Sequence, residues 1–327
     1  MASVEEHLSN RKAIRESKIT EALRIIDAAR ENGVVLRLIG GLAARNHCKI
    51  INFCERDYSD IDMVGLSRHV KKIAELFKKH GYKENKDVMI ATAGHRMQFY
   101  KGSPENHVDI FIDTFEMEHD VELKNRLTIE DYTITLADLL LTKLQIYKIN
   151  EKDVRDILST VKDNSIGDED KPGIINVKYI ARICAKNWGL YHDMLENIEK
   201  CLGLMQYYDL TPDEVRIITE RMNMLREAIE DEPKSLKWKL RARIGERKAW
   251  RKAVEDETRD LKERSVIEAD TFIFSISSAL LTRRSSCTMW LRSVNSPGGT
   301  APEASLLRMV LTQLMICRSN SALRPIE

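Results

Sequence analysis

The stretch Arg56-Asp57-Tyr58-Ser59-Asp60-Ile61-Asp62-Met63-Val64 decides how the chain is read, together with Leu38-Ile39-Gly40-Gly41 upstream. The earlier piece is an apolar strand that breaks into two glycines. The later one is a polar turn entering a strand that carries two carboxylates. Residues i and i+2 of a strand point to one face, about 7 Å apart along it. Asp60 and Asp62 therefore aim at one spot, while Ile61 and Met63 turn into a core. Two converging carboxylates beside a bare glycine backbone suit a hard cation that carries phosphates. Mg2+ takes oxygen ligands, commonly one or two carboxylates plus phosphate oxygens. A plainer reading also stands: a solvated Asp-x-Asp turn with no ion.

Working outward, residues 4–30 are spaced for a helix, with Ile14, Ala22, Ile25, Ile26 and Ala29 on one face and Asn32-Gly33 ending it. Residues 34–39 follow as a buried strand. Residues 42–47 read as a short helix whose N-terminus lies at the glycine turn and offers free N–H groups to an anion. Downstream, 67–80 is an amphipathic helix through Val70, Ile73, Leu76 and Phe77, capped by Ser67 and stopped by Gly81. Residues 88–92 and 96–100 read as a hairpin around Gly94. His107-Val108-Asp109-Ile110-Phe111-Ile112-Asp113 is a strand with Asp109 and Asp113 on one face. This order describes a small unit with a mixed sheet.

From about residue 122 the texture changes. Residues 136–149 form a strongly apolar helix containing Lys143, and 151–161 continue with Asp153 and Asp156, read as surface charges paired with Lys152 and Arg155. Residues 162–173 are polar, with Gly and Pro, and read as an interdomain loop. Residues 177–262 read as three or four helices, one entered through Thr211 and Pro212. The expected fold class is α+β, a small mixed-sheet domain over 1–165 followed by a helical domain over 166–264. No lysine occurs after Lys262, and 265–327 reads as an atypical tail, either disordered or non-native.

A formal net charge of +1 provides no global field to recruit nucleic acid or an anionic membrane, so such contacts need a local patch. One is present: nine basic residues from Lys234 to Lys252 are opposed only by Glu246, with Trp238 and Trp250 interleaved. That pattern fits RNA phosphates, or simply a solvated helix face. The absence of a run of about 20 apolar residues excludes a helical membrane span. The first residues show no basic-then-apolar leader. Six scattered cysteines without a CxxC pair read as reduced thiols, which with these features indicates a cytoplasmic protein. His47, His95 and His107 lack metal-ligand spacing. His95 and Arg96 follow Gly94 in the hairpin and could face the cleft, but a surface histidine is the plainer reading.

The order Gly40-Gly41, Ser59-Asp60-Ile61-Asp62, then Asp109 on a later strand resembles the polymerase-beta-type nucleotidyltransferases over about residues 20–160. The spelling is most similar to AbiEii-like toxin and small-molecule (antibiotic) nucleotidyltransferases, which share an Arg-x-x-x-Asp-x-Asp stretch matched by Arg56, Asp60 and Asp62. The resemblance implies an NTP donor such as ATP and two Mg2+ ions on Asp60, Asp62 and Asp109. Of Asp109 and Asp113, Asp109 is favoured because the family's acid sits early in its strand. Gly40 and Gly41 would admit the phosphates, Ser59 would add a hydrogen bond, and Arg56 and Lys143 would reach phosphate charge. For Arg56 and Lys143 the plainer readings are a loop arginine and a snorkelling lysine. Lys152-Asp153-Val154-Arg155-Asp156 also resembles the toxin branch's Arg-Asp-x-x-Asp stretch, with lysine where arginine is usual. The implied reaction transfers NMP to an acceptor hydroxyl on tRNA, a protein or a small molecule. A cationic small-molecule acceptor would want the acids Glu116, Glu118, Asp120 and Glu122. A toxin-like enzyme would have a cognate antitoxin. The alternative is a non-catalytic nucleotide-binding or regulatory module that keeps the fold.

Overall fold

The computed structural model describes residues 4–49, 53, 56, 58 and 60–252. Ser59 and the 265–327 tail lie outside them. The fold is mixed: one sheet of both strand directions, then a succession of helices. Helix α1 (Val4–Glu31) buries Ala22, Ile25, Ile26 and Ala29, as their spacing requires, and stops at Gly33, whose φ of +63° suits glycine. Strand β1 (Leu36–Leu38) leads into helix α2 (Gly40–His47), and β2 (Ile61–Gly65) follows. Helix α3 (Val70–Lys79), β3 (Lys83–Glu84), helix α4 (Lys86–Ala91), β4 (Arg96–Lys101) and β5 (Ser103–Ile112) complete the sheet.

Among the described residues the sheet order is β1-β2-β5-β4-β3. β2 and β5 run parallel; the other neighbours are antiparallel. Register gives the sheet two contrasting faces. Met63, Ile110 and Met97 lie opposite one another and are all but fully buried. Phe99 belongs to the same apolar face and stacks on Phe77 of α3 at 4.3 Å between centroids. On the other face Asp62 pairs with Asp109, and Asp109 with Gln98. Period-2 alternation therefore builds core and polar row from the same strands.

After the hairpin β6 (Thr114–Glu116) and β7 (Asp120–Glu122) come α5 (Leu136–Leu144) and α6 (Glu151–Asp163). Thr135 caps α5 by accepting from the Asp138 amide, and Asn150 and Asp153 form a capping box on α6. Strand β8 (Ser165–Gly167) pairs parallel with β9 (Ile174–Asn176), and α7 (Val177–Cys184), α8 (Trp188–Leu204), α9 (Pro212–Asp231) and α10 (Leu236–Ile244) follow. Thr211 and Glu214 form a capping box on α9, with Pro212 in its first turn. Among the described residues no helix is long and apolar enough to cross a membrane.

The structure corrects four expectations. Residues 88–92 fall largely in α4 and not in a strand: Ile90 is 78% exposed, so its apolar run faces no sheet. The helix expected to reach 149 ends at Leu144, because the Asn197 side chain takes the carbonyls of Leu144 and Ile146 at 2.8 and 2.7 Å. The expected loop over 162–173 contains β8, whose partner β9 lies outside the window that made it look irregular. Cys48, at the end of α2, is disulfide-bonded, a state that reducing compartments disfavour, whereas Cys184 and Cys201 are free.

Candidate functional site

The polar face of β2, β5 and β4 gathers the site. Asp62 and Asp109 face each other across the parallel ladder, and Asp60 precedes β2 by one residue. Burial, with Asp109 and then Asp60 beside it, raises the Asp62 carboxyl to about 6. Like charges crowded in low dielectric disfavour ionisation. Asp109 is almost fully buried, but donors surround it. Arg96 Nη2 lies 2.7 Å from its Oδ2, Arg96 Nε and Gln98 Nε2 donate to Oδ1 at 3.2 and 3.1 Å, and His107 Nε2 is 3.3 Å from Oδ2. The same His107 nitrogen is 3.7 Å from Asp60 Oδ1. Arg96 also lies over the Phe111 ring.

The glycine turn abuts this row. The Ile39 amide donates to the Asp62 carbonyl at 3.0 Å, which ties the start of α2 to β2. Gly40 has a φ of +68°, and a Cβ there would stand 2.9 Å from Asp62 Oδ2. At Gly41 a Cβ would stand 2.0 Å from Arg56 Nη2. Gly40 needs glycine for its left-handed backbone, and a Cβ at Gly41 would displace the Arg56 guanidinium.

Arg56 and Lys143 meet on α6. Arg56 grips Asp156 with two contacts, 3.0 and 2.8 Å, and lies over the Tyr58 ring at 4.2 Å. Lys143 Nζ sits 2.9 Å from both Asp153 and Asp156. Burial works against the lysine charge, but the two carboxylates more than offset it and hold its pKa above the ordinary lysine range. Asp153 and Asp156 are thus buried partners of Lys143 and Arg56, and the reading of them as surface charges is corrected. Lys143 is close enough that its charge lowers the Asp62 pKa. Burial pushes the Tyr58 hydroxyl up to about 12, so it stays protonated near neutrality.

Asp113 takes another job. With φ of +62° it turns away from the row, accepts from the Ser67 amide at 2.9 Å and pairs with Lys124 at 3.0 Å. His95 pairs with Glu116 at the surface. Glu118 accepts from the Tyr147 amide, and Asp120 pairs with Lys252. Three of the four acids expected to line an acceptor pocket are therefore engaged by protein donors.

Gln98 was not singled out in the sequence, Arg96 was named only beside His95 after Gly94, and His107 only as lacking metal-ligand spacing. The signal was available: His107 precedes Asp109 by two positions, and an antiparallel neighbour of that strand must present alternate residues to the same face. A second group, His192, Asp193 and Glu196, brings possible ligand atoms within 4.8 Å. Its central carboxylate is already taken by His119 at 2.7 Å, Trp250 at 3.0 Å and Arg251 at 2.8 and 2.6 Å. Burial opposes the Asp193 charge, and these donors still hold its carboxyl well below the usual range.

No protein-family model matches the chain, and no curated protein matches it. Among solved structures it is similar to the antibiotic-resistance factor ANT(2'')-Ia, at 10% identity and a TM-score of 0.30, over 66% of this chain and 92% of that one. A likeness so distant carries nothing about this chain's chemistry.

Proposed function

We propose that the chain is a divalent-cation-dependent nucleotidyltransferase that moves NMP from an NTP onto an acceptor hydroxyl. One observation carries the reading: Asp62 stands in register with Asp109, beside Asp60 and against a glycine turn where a Cβ at Gly40 would crowd the Asp62 carboxylate. The donor set is three carboxylates, as Mg2+ prefers, with Asp109 shared with Arg96, which a cation would displace, and the raised Asp62 pKa marks a charge crowding that a cation would relieve. Asp60, Asp62 and Asp109 would hold the metal, which when bound supplies charge neutralisation for attacking and leaving oxygens.

The chain's own groups account for the rest. In this reading phosphate oxygens approach the α2 N-terminus at Gly40, beside Asp62, while the Arg56 guanidinium packs over Gly41. The acceptor oxygen attacks the α-phosphorus, and the bond to the oxygen bridging to the β-phosphorus breaks. Pyrophosphate leaves with that electron pair, and the hydroxyl proton passes to Asp109 or to solvent. Arg56 and Lys143 support the site through Asp156 and Asp153. Ser59 would add a phosphate hydrogen bond. Residues 1–165 would form the catalytic part, and 166–264 would shape the acceptor side. The acceptor is a hydroxyl on tRNA, a protein or a small molecule.

The test is label transfer from each α-phosphate-labelled NTP with Mg2+ to total tRNA, protein lysate and a panel of aminoglycosides. Transfer should occur with one acceptor class and vanish in Asp60→Asn/Asp62→Asn. Transfer that survives both substitutions would remove the site assignment. Nucleotide binding without any transfer favours the non-catalytic module.

A further inference from the structure

Helix α10 ends the described helical series and is unlike the helices before it. Leu236 is 75% exposed, Leu240 52% and Ile244 44%. Spaced at i, i+4 and i+8, they form one continuous aliphatic stripe along two turns. Basic residues border it on both sides: Lys237 on one, Lys239 and Arg243 on the other. These three cations are exposed and make no ion pair among the described residues. The opposite side of the helix is anchored to the protein. Trp238 donates to the Cys184 carbonyl at 3.1 Å and meets the Tyr191 ring edge-on, and Arg241 lies over Trp188. Ser235 caps the helix, so its orientation is fixed.

We infer that α10 docks a partner protein's acidic amphipathic helix, one with aliphatic residues every three or four positions and Asp or Glu on both shoulders. Helix pairing of this kind buries a narrow apolar seam and matches charges along its edges. The stripe supplies the seam and the lysines and arginine supply the edges. The tryptophans of this basic run do not offer the exposed rings on which single-stranded bases stack. Here Trp238 faces inward, and Trp250 is bonded to Asp193. An interfacial membrane helix carries its charged face opposite its apolar face. In α10 the opposite face is occupied by protein.

The experiment uses the full chain and two fluorescent peptides of identical Glu, Ala and Leu composition. One places its leucines on a single helical face between glutamates; the other scrambles them. Anisotropy should show binding of the first, weakened at least about tenfold by scrambling, by Leu240→Asp and by Lys239→Glu/Arg243→Glu. All side chains changed are exposed, and an unaltered melting temperature shows that each variant is folded. Equal binding of the two peptides, or wild-type binding by Leu240→Asp, would overturn the proposal. So would a single-stranded RNA oligonucleotide, or phosphatidylserine vesicles, binding in a Leu240-dependent way that neither peptide reproduces. Carbene footprinting that leaves Leu236 and Leu240 unlabelled in the chain alone would show the stripe already covered, and would also overturn it.

Discussion

Arg96 lies across Asp109: its Nη2 is 2.7 Å from Oδ2, and its Nε donates to Oδ1 at 3.2 Å. The guanidinium occupies the charge that a cation shared with Asp62 would use. Arg96→Gln should therefore let Mn2+ bind about tenfold tighter in the absence of nucleotide, a little less than the roughly 1.5–3 kcal/mol of a hydrogen bond to a charged group. Loss of the free-ion electron paramagnetic resonance signal during titration measures it. Unchanged affinity would mean that arginine and cation do not compete.

Gly40 combines a φ of +68° with a Cβ position 2.9 Å from Asp62 Oδ2. Gly40→Ala should cost about 1–2 kcal/mol in urea denaturation, from left-handed backbone strain and a displaced carboxylate. It should also weaken Mn2+ binding. Stability lost with metal affinity intact would show that Asp62 adjusts without consequence.

Asp156 serves both Arg56 and Lys143 inside the fold. Asp156→Asn leaves two buried cations with one carboxylate, Asp153, and should cost about 3 kcal/mol or more. Adding Lys143→Met should recover part of that loss, since it removes one of the stranded charges. A double variant as unstable as the sum of the two singles would mean that the residues are not coupled.

His47, in the last turn of α2, has its pKa lowered to about 4 by burial, with Nε2 2.7 Å from Thr133 Oγ1. The unfolded chain takes up a proton on this ring near 6.5, and the folded chain does not until about 4. Unfolding thus binds a proton within that window. The stability due to the neutral ring is complete above about 6.5 and is lost as pH falls towards 4. The full loss should be about 3 kcal/mol, from the shift between 6.5 and about 4. Chemical denaturation at pH 7, 5.5 and 4.5 should show a shallower decline in His47→Asn; parallel declines would exclude the ring as the cause.

Much of this architecture was legible because it is local. The break of β1 into Gly40-Gly41, the alternation around Asp62 and Asp109, and the Thr211-Pro212 helix entry each sit within a few residues and have one physical cause. What was not legible depends on distant partners. Asp153 and Asp156 look like surface charges until α5 brings Lys143 against them. Arg96 and Gln98 acquire meaning only once β4 is laid beside β5. Val88, Met89 and Ile90 look like a strand because apolar runs of that length do not declare whether they are covered.

The parallel pairing of β2 with β5 has a last consequence. The separation of the two acids is fixed by backbone hydrogen bonds between segments more than forty residues apart in sequence, and no flexible loop intervenes at either residue. A slip of one position would set Val108 or Ile110 opposite Asp62 and drive Asp109 into the oily side. No intermediate arrangement exists in which the acidic row is half assembled. If the acidic row holds the proposed cation, its affinity reads out correct strand alignment, and refolded material should divide into molecules with full affinity and molecules with none.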